Sequence, residues 1–194
     1  QAGHPPVWLM SNAPPTFKVA GDKGWGVISM AAGVKRTLAC WEPYRAALAA
    51  STGRDLALGE GVGVCTAFYV GESMKEAVNT IRPSINAYYE FLGGSRPAGE
   101  WTKHGYLDIG EEMTSEDEES DWFDFLNKRG IIMVGDAEFV ANRIAERKET
   151  TGLDHLMLMQ QHTGVPYDKI LASWHRLFEH VVPLFGTQSI AQKR

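Results

Sequence analysis

The sequence predicts an α/β fold of four parallel strands with an insertion after the third βα unit, together half of a (β/α)8 barrel. Three observations carry this. Short apolar runs of strand type alternate with longer segments of helical period, and parallel strands joined by helices imply right-handed crossovers. Neither a GxGxxG nor a P-loop follows any of the runs, which counts against a nucleotide-binding doubly wound sheet. The 194 residues, 44% hydrophobic and 22% charged, suit a single soluble domain spanning 1–194 with a core of its own.

The elements follow in order. Val7–Ser11 reads as a strand and Ala13–Lys23 as a helix, with Asn12 placed to cap it and prolines tolerated in its first turn. Gly24 stops that helix, and Gly26–Met30 reads as a second buried strand. Val34–Thr52 is helical up to Gly53, with Pro43 demanding a kink or a late start. Val62–Val70 is the third strand, followed by Ser73-Met74-Lys75-Glu76, a capping-box pattern. Met74, Ala77, Val78, Ile81, Ile85, Tyr88, Tyr89 and Leu92 then recur at helical spacing, although Pro83 sits among them.

From Gly93 to Gly130 the pattern changes to a lid-like insertion. Glu111 to Asp121 holds seven carboxylates, read as a solvated face, and Ser115 with Glu118 is placed to cap a short helix holding Trp122, Phe123, Phe125 and Leu126. Asp136 caps the next helix, which runs to about Thr150 and ends at Gly152. Leu156–Gln160 is the fourth strand, and Tyr167 to Val182 forms the last helix.

Composition excludes several function classes. The net charge of −5 disfavours nucleic acid as a partner. No apolar run approaches the ~20 residues of a membrane span, and no signal-peptide pattern opens the chain, so a cytoplasmic location fits. Cys40 and Cys65 are isolated, which leaves neither a disulfide framework nor a zinc site, and no metal is expected. Gln1 in place of an initiator methionine points to a processed product or a piece of a longer chain.

The first strand-to-helix junction, Met10-Ser11-Asn12-Ala13-Pro14-Pro15-Thr16, sets a helix N-terminus above a strand end, a natural anion seat. Read alone it is an ordinary cap. Five segments alter that reading: HPPVWLMSNAPPTFKVA, GWGVISM, the VGE-S-MKEA junction, MVGDAEFVANRIAERKETTGLDHL and ILASWHRLFEHVVPLF. In type and order they resemble the C-terminal half of the bacterial luciferase-like family of flavin-dependent monooxygenases.

The resemblance implies strands five to eight of a TIM barrel binding reduced FMN, which activates dioxygen to oxygenate a small organic substrate. It places Met10 and Cys65 beside the flavin ring, with Ser29 and Met30 at the end of the neighbouring strand. It sets Asn12, Ala13 and Thr16 at the phosphate through backbone amides and a hydroxyl. Tyr88 falls over the substrate pocket, and the insertion becomes a loop that closes over the site and excludes water. Without the resemblance, Met10, Met30 and Cys65 read as core residues, and Cys65 lacks the basic neighbours of a reactive thiolate. His162, after the last strand, is either an acid or base on the catalytic face or a surface-loop histidine.

The family's phosphate arginine, catalytic histidine and strained peptide lie in the half that has no counterpart here. The partners implied are therefore the N-terminal barrel half or a second copy, plus a flavin reductase. Alone, the chain is expected to be weak or inactive. Two other functions remain open: a deazaflavin-dependent oxidoreductase on the same fold, and a non-catalytic flavin-binding or assembly subunit.

Overall fold

The computed structural model describes residues 5–95, 102–160 and 162–186. Part of the predicted insertion, residues 96–101, lies outside them. Five strands and seven helices alternate: β1 Trp8–Met10, α1 Pro14–Lys23, β2 Gly26–Met30, α2 Val34–Thr52, β3 Val62–Val70, α3 Met74–Ser95, α4 Ser115–Glu119, α5 Trp122–Lys128, β4 Met133–Gly135, α6 Ala137–Thr151, β5 His155–Met159 and α7 Tyr167–Arg176. A 3-10 turn covers Lys103–Tyr106.

All strand pairs are parallel. β2 and β5 both pair with the first half of β3, through Val62–Cys65 and Gly63–Ala67, so the four expected strands stand in the order β1-β2-β3-β5. The strand count needs correction from four to five. β4 pairs with Phe68–Val70, the part of β3 that projects beyond β5. It is only three residues long and directly follows the insertion, so the apolar run Ile131–Val134 reads as the end of that segment.

The sheet is curved rather than flat. β1 and β5 are separated by two strands, about 14 Å at ordinary spacing. Yet the rings of Trp8 and His155 meet with centroids 4.9 Å apart. A sheet that curls toward its inner face brings such side chains of its two edge strands together. Glycine makes room for this: a Cβ on Gly26 would collide with the Trp8 ring, and one on Gly63 would press on His155 and Ile28.

Outside the arc, helices cover the sheet. Phe17, Trp41 and Tyr44 of α1 and α2 pack on Val27, Val62 and Val64. Val140 and Leu177 pack on Phe68 and Val70. Pro43 does not end α2, and Pro83 does not end α3. The last helix continues past Arg176 as a wider turn over Leu177–Val181.

The acidic stretch is only partly a solvated face. Glu112, Glu116, Glu118 and Glu119 are exposed, but the Asp117 side chain is only 2% exposed. Arg129 donates to both Asp117 oxygens at 3.0 and 2.9 Å. The caps differ from those expected: Thr114 and Asp117 form the capping box of α4, and Asp121 caps α5. Arg82 donates to Asp121 and Asp124 at 2.7–2.8 Å, tying the insertion to α3.

Candidate flavin and substrate site

A cavity of about 210 Å³ lies over the C-terminal ends of β2 and β5 and the middle of the longer β3, on the side of the sheet where α/β barrels carry ligands. Its floor comes from Met30 and Ala31 at the end of β2 and from Cys65 and Ala67 in the middle of β3. Its roof is aromatic: Tyr88 and Tyr89 of α3, with Tyr106 from the insertion. Tyr89 packs edge-on to Tyr88 and Tyr106, both at 5.3 Å, and stacks on Trp122 at 5.2 Å.

Ala31 adopts φ +47°, the only described non-glycine residue at positive φ. Such backbone is sparsely populated and clusters at functional sites. Its N–H donates to the Cys65 carbonyl at 3.0 Å, which carries the ladder with β3 one residue past β2.

Charge enters at one edge. Arg36 lines the cavity and donates from Nη2 to the Leu107 carbonyl at 2.9 Å. Next to it, Asp108 of the insertion accepts from the Lys35 and Arg36 backbone N–H groups at 2.9 and 2.7 Å. Gly33, the N-cap of α2, supplies no side chain of its own, and a Cβ there would overlap the Asp108 carboxylate. The insertion therefore caps a barrel helix. Burial pushes the Cys65 thiol and the Tyr89 hydroxyl up from their ordinary values, so both stay protonated at neutral pH.

Of the sequence-predicted site residues, the cavity brings together Asn12, Met30, Cys65 and Tyr88. Asn12 is a backbone clamp: Nδ2 donates to the Met30 carbonyl at 2.6 Å and Oδ1 accepts the Met30 N–H at 2.9 Å. Met10 is exposed at the end of β1, outside the cavity lining. Ser29 is fully buried with its hydroxyl directed to the Gly63 carbonyl at 3.4 Å.

Ala13 and Thr16 lie at the start of α1, which offers fewer backbone donors than expected. Pro14 and Pro15 have no N–H, the Ala13 N–H is held by Ser11 Oγ at 3.0 Å, and the Thr16 N–H returns to the Ala13 carbonyl. His162 is neither a surface histidine nor part of the cavity lining. It is 6% exposed, with Nε2 2.8 Å from the Phe68 carbonyl.

The sequence reading missed Ala31, Arg36, Tyr89, Tyr106 and Met159. Tyr89 had a visible signal, since it stands beside Tyr88 on the apolar face of α3. Tyr106 and Arg36 reach the cavity through the docking of the insertion on α2, which has no local signature.

Comparison with known proteins identifies the family and the fold. The family model described as luciferase-like monooxygenase matches residues 1–155. No curated protein matched the chain. Among solved structures, monooxygenase RslO1 from Streptomyces bottropensis is 17% identical with a TM-score of 0.74, over 96% of this chain and 50% of that one. The FMN complex of the oxygenating constituent of 3,6-diketocamphane monooxygenase, a type II Baeyer–Villiger monooxygenase from Pseudomonas putida, is also 17% identical, with a TM-score of 0.63 over 91% and 48%. The coenzyme F420 dependent tetrahydromethanopterin reductase from Methanopyrus kandleri is 18% identical, with a TM-score of 0.59 over 93% and 51%. The chain thus spans about half the length of the solved structures it matches. With this family match and a half-barrel holding a cavity at its strand tops, the chain belongs to the luciferase-like monooxygenases.

Proposed function

We propose that the chain supplies the C-terminal half of the active site of a monooxygenase that uses reduced FMN, dioxygen and a small organic substrate. The observation that carries this is the cavity itself: an apolar floor on β2 and β3, a strained Ala31 at its edge, and three tyrosines above. At about 210 Å³ it falls below the roughly 300–1,000 Å³ of typical ligand sites. A flavin ring would rest against Met30 and Cys65 as one wall, the other wall coming from the complementary barrel half.

When bound, the reduced flavin supplies the activation of dioxygen. The residues of this chain contribute position and dryness. Asn12 fixes the end of β2 through both backbone groups of Met30, which holds the floor in register. Tyr88, Tyr89 and Tyr106 exclude water above it, and their apolar faces suit an apolar or aromatic substrate. Cys65 acts as a protonated filler rather than a nucleophile. For the phosphate, α1 offers Asn12 and the Thr16 hydroxyl with few amides beside them, so its charge is met by the arginine of the complementary half.

The test is FMN binding followed by flavin fluorescence, with the chain alone and with a family N-terminal half supplied in trans. Binding should be weak alone and tighten with the added half. Cys65→Phe, which fills the floor, should abolish it, and Thr16→Val should weaken it about 2- to 10-fold, the loss of one modest hydrogen bond. Unchanged binding in Cys65→Phe overturns the placement. Oxygen uptake with reduced FMN, absent with reduced F420, separates the monooxygenase from a deazaflavin-dependent oxidoreductase.

A further inference from the structure

A second, smaller cavity lies on the outer side of the barrel, between the N-terminus of α2, helix α6 and the Arg129–Gly130 bend that ends the insertion. It measures about 50 Å³, and three arginines line it, Arg129, Arg143 and Arg147, together with one carboxylate, Glu146, and Thr150. Two of them have anionic partners. Arg129 is neutralised by Asp117 and Glu111 at 2.9 Å each. Arg143 has a looser pair, with Nη1 3.6 Å from Glu146 and Nη2 on the Asn127 carbonyl at 3.3 Å.

Arg147 differs from both. It is only 6% exposed, it donates from Nη2 to the Ala32 carbonyl at 2.8 Å, and no ion pair is found for it among the described residues. Asp108 and Glu146 attract it from a distance, but desolvation outweighs them and lowers its pKa. A guanidinium buried without an ion-pair partner is costly to desolvate. Buried charges in proteins are normally paired. Asp108, one of the two carboxylates that attract it, already accepts from the amides of α2.

We propose that this cavity binds a tetrahedral oxyanion of the phosphate type, held between Arg143 and Arg147. These two arginines sit four residues apart on α6 and therefore share one face. Their planar guanidinium groups suit the oxygens of a phosphate or sulfate in forked geometry. The cavity has room for a few water-sized groups, which accommodates one such anion and excludes a flavin ring. The ligand is either free inorganic phosphate or the phosphoryl end of a larger molecule whose body lies outside. The inference does not depend on the flavin site.

Calorimetric titration of inorganic phosphate into the 194-residue chain, against chloride at equal ionic strength, tests it. One saturable site is expected. At about 100-fold excess over its dissociation constant, phosphate should raise the unfolding midpoint by about 5–10 °C. Arg147→Met should lose that shift, and Arg143→Gln, on a more exposed position, should weaken phosphate binding at least tenfold while leaving the fold intact. Competition by FMN but not by riboflavin would identify the source as the flavin's phosphate; no competition by either would identify free phosphate. A response to phosphate no larger than to chloride, or one retained in both arginine variants, overturns the site.

Discussion

His162 shows how a single side chain can mislead in sequence and inform in structure. It follows a strand on the catalytic side of the barrel, the position of an acid or base. In the fold it is buried, with Nε2 2.8 Å from the Phe68 carbonyl. A carbonyl only accepts, so Nε2 carries a proton. Burial lowers its pKa against the opposing pull of that hydrogen bond. A histidine whose folded pKa is depressed stabilises the fold above the unfolded value near 6.5 and loses that contribution as pH falls below it. Unfolding free energy measured between pH 8 and 5 should therefore drop below about pH 6.5 in the native chain. The drop should be smaller in His162→Gln, which itself costs about 1–3 kcal/mol at pH 8 by disturbing the donor to Phe68. At this scale the sequence revealed residue types but not their partners. Met30, Cys65 and Tyr88 line the cavity, but it was the family resemblance that singled them out; on periodicity alone Met30 and Cys65 read as core residues. His162 was not, because its carbonyl partner lies 94 residues away on β3.

At the scale of elements, the insertion is the part least legible in sequence. The barrel helices announce themselves through period and caps: Asp136 accepts from Phe139 N–H as its position suggests, and Gly24, Gly53 and Gly152 end their helices in the left-handed conformation. The insertion is organised by long-range bonds instead, so its aspartates read as solvated charge. α2 lacks a local cap side chain, and Asp108 provides one from 73 residues away. Removing such a cap costs about 0.5–2 kcal/mol, and here it also frees the insertion from the barrel. Asp108→Ala should therefore raise hydrogen exchange at Lys35, Arg36 and Tyr106 together, with Asp108→Asn intermediate. Faster exchange confined to Lys35 and Arg36 would mean that the cap and the docking of the insertion are separate. Inside the insertion, Asp117→Ala leaves Arg129 buried beside one remaining carboxylate, a loss of roughly 3–5 kcal/mol. That variant should lose the α4 and α5 exchange protection while the β1-β2-β3-β5 sheet keeps its own.

For the whole molecule, the governing fact is an arc whose edge strands find no further strand among the described residues, with an apolar inner face. The outer face buries Phe17, Trp41, Phe68 and Leu177 beneath helices, whereas the inner face leaves Trp8, Met10 and Met157 41–47% exposed. Trp8, Ile28, His155 and Met157 line one apolar hollow there. In a closed barrel such side chains form packed interior layers, and backbone groups along the outer sides of β1 and β5 join neighbouring strands. With neither side paired among the described residues, the chain on its own has strand edges and apolar surface that favour association. Sedimentation velocity of the isolated chain should show species above the 21.4 kDa monomer that grow with concentration. Met157→Lys places a charge on the inner face without touching the outer core. It should shift the distribution toward monomer with an unchanged far-ultraviolet spectrum, and it should weaken recovery of flavin binding with an added N-terminal half. A native chain that stays monomeric up to about 100 μM without binding a hydrophobic dye would show the inner face to be covered from within. The curvature seen through Trp8 and His155 would then belong to a self-sufficient domain rather than to one wall of a larger barrel.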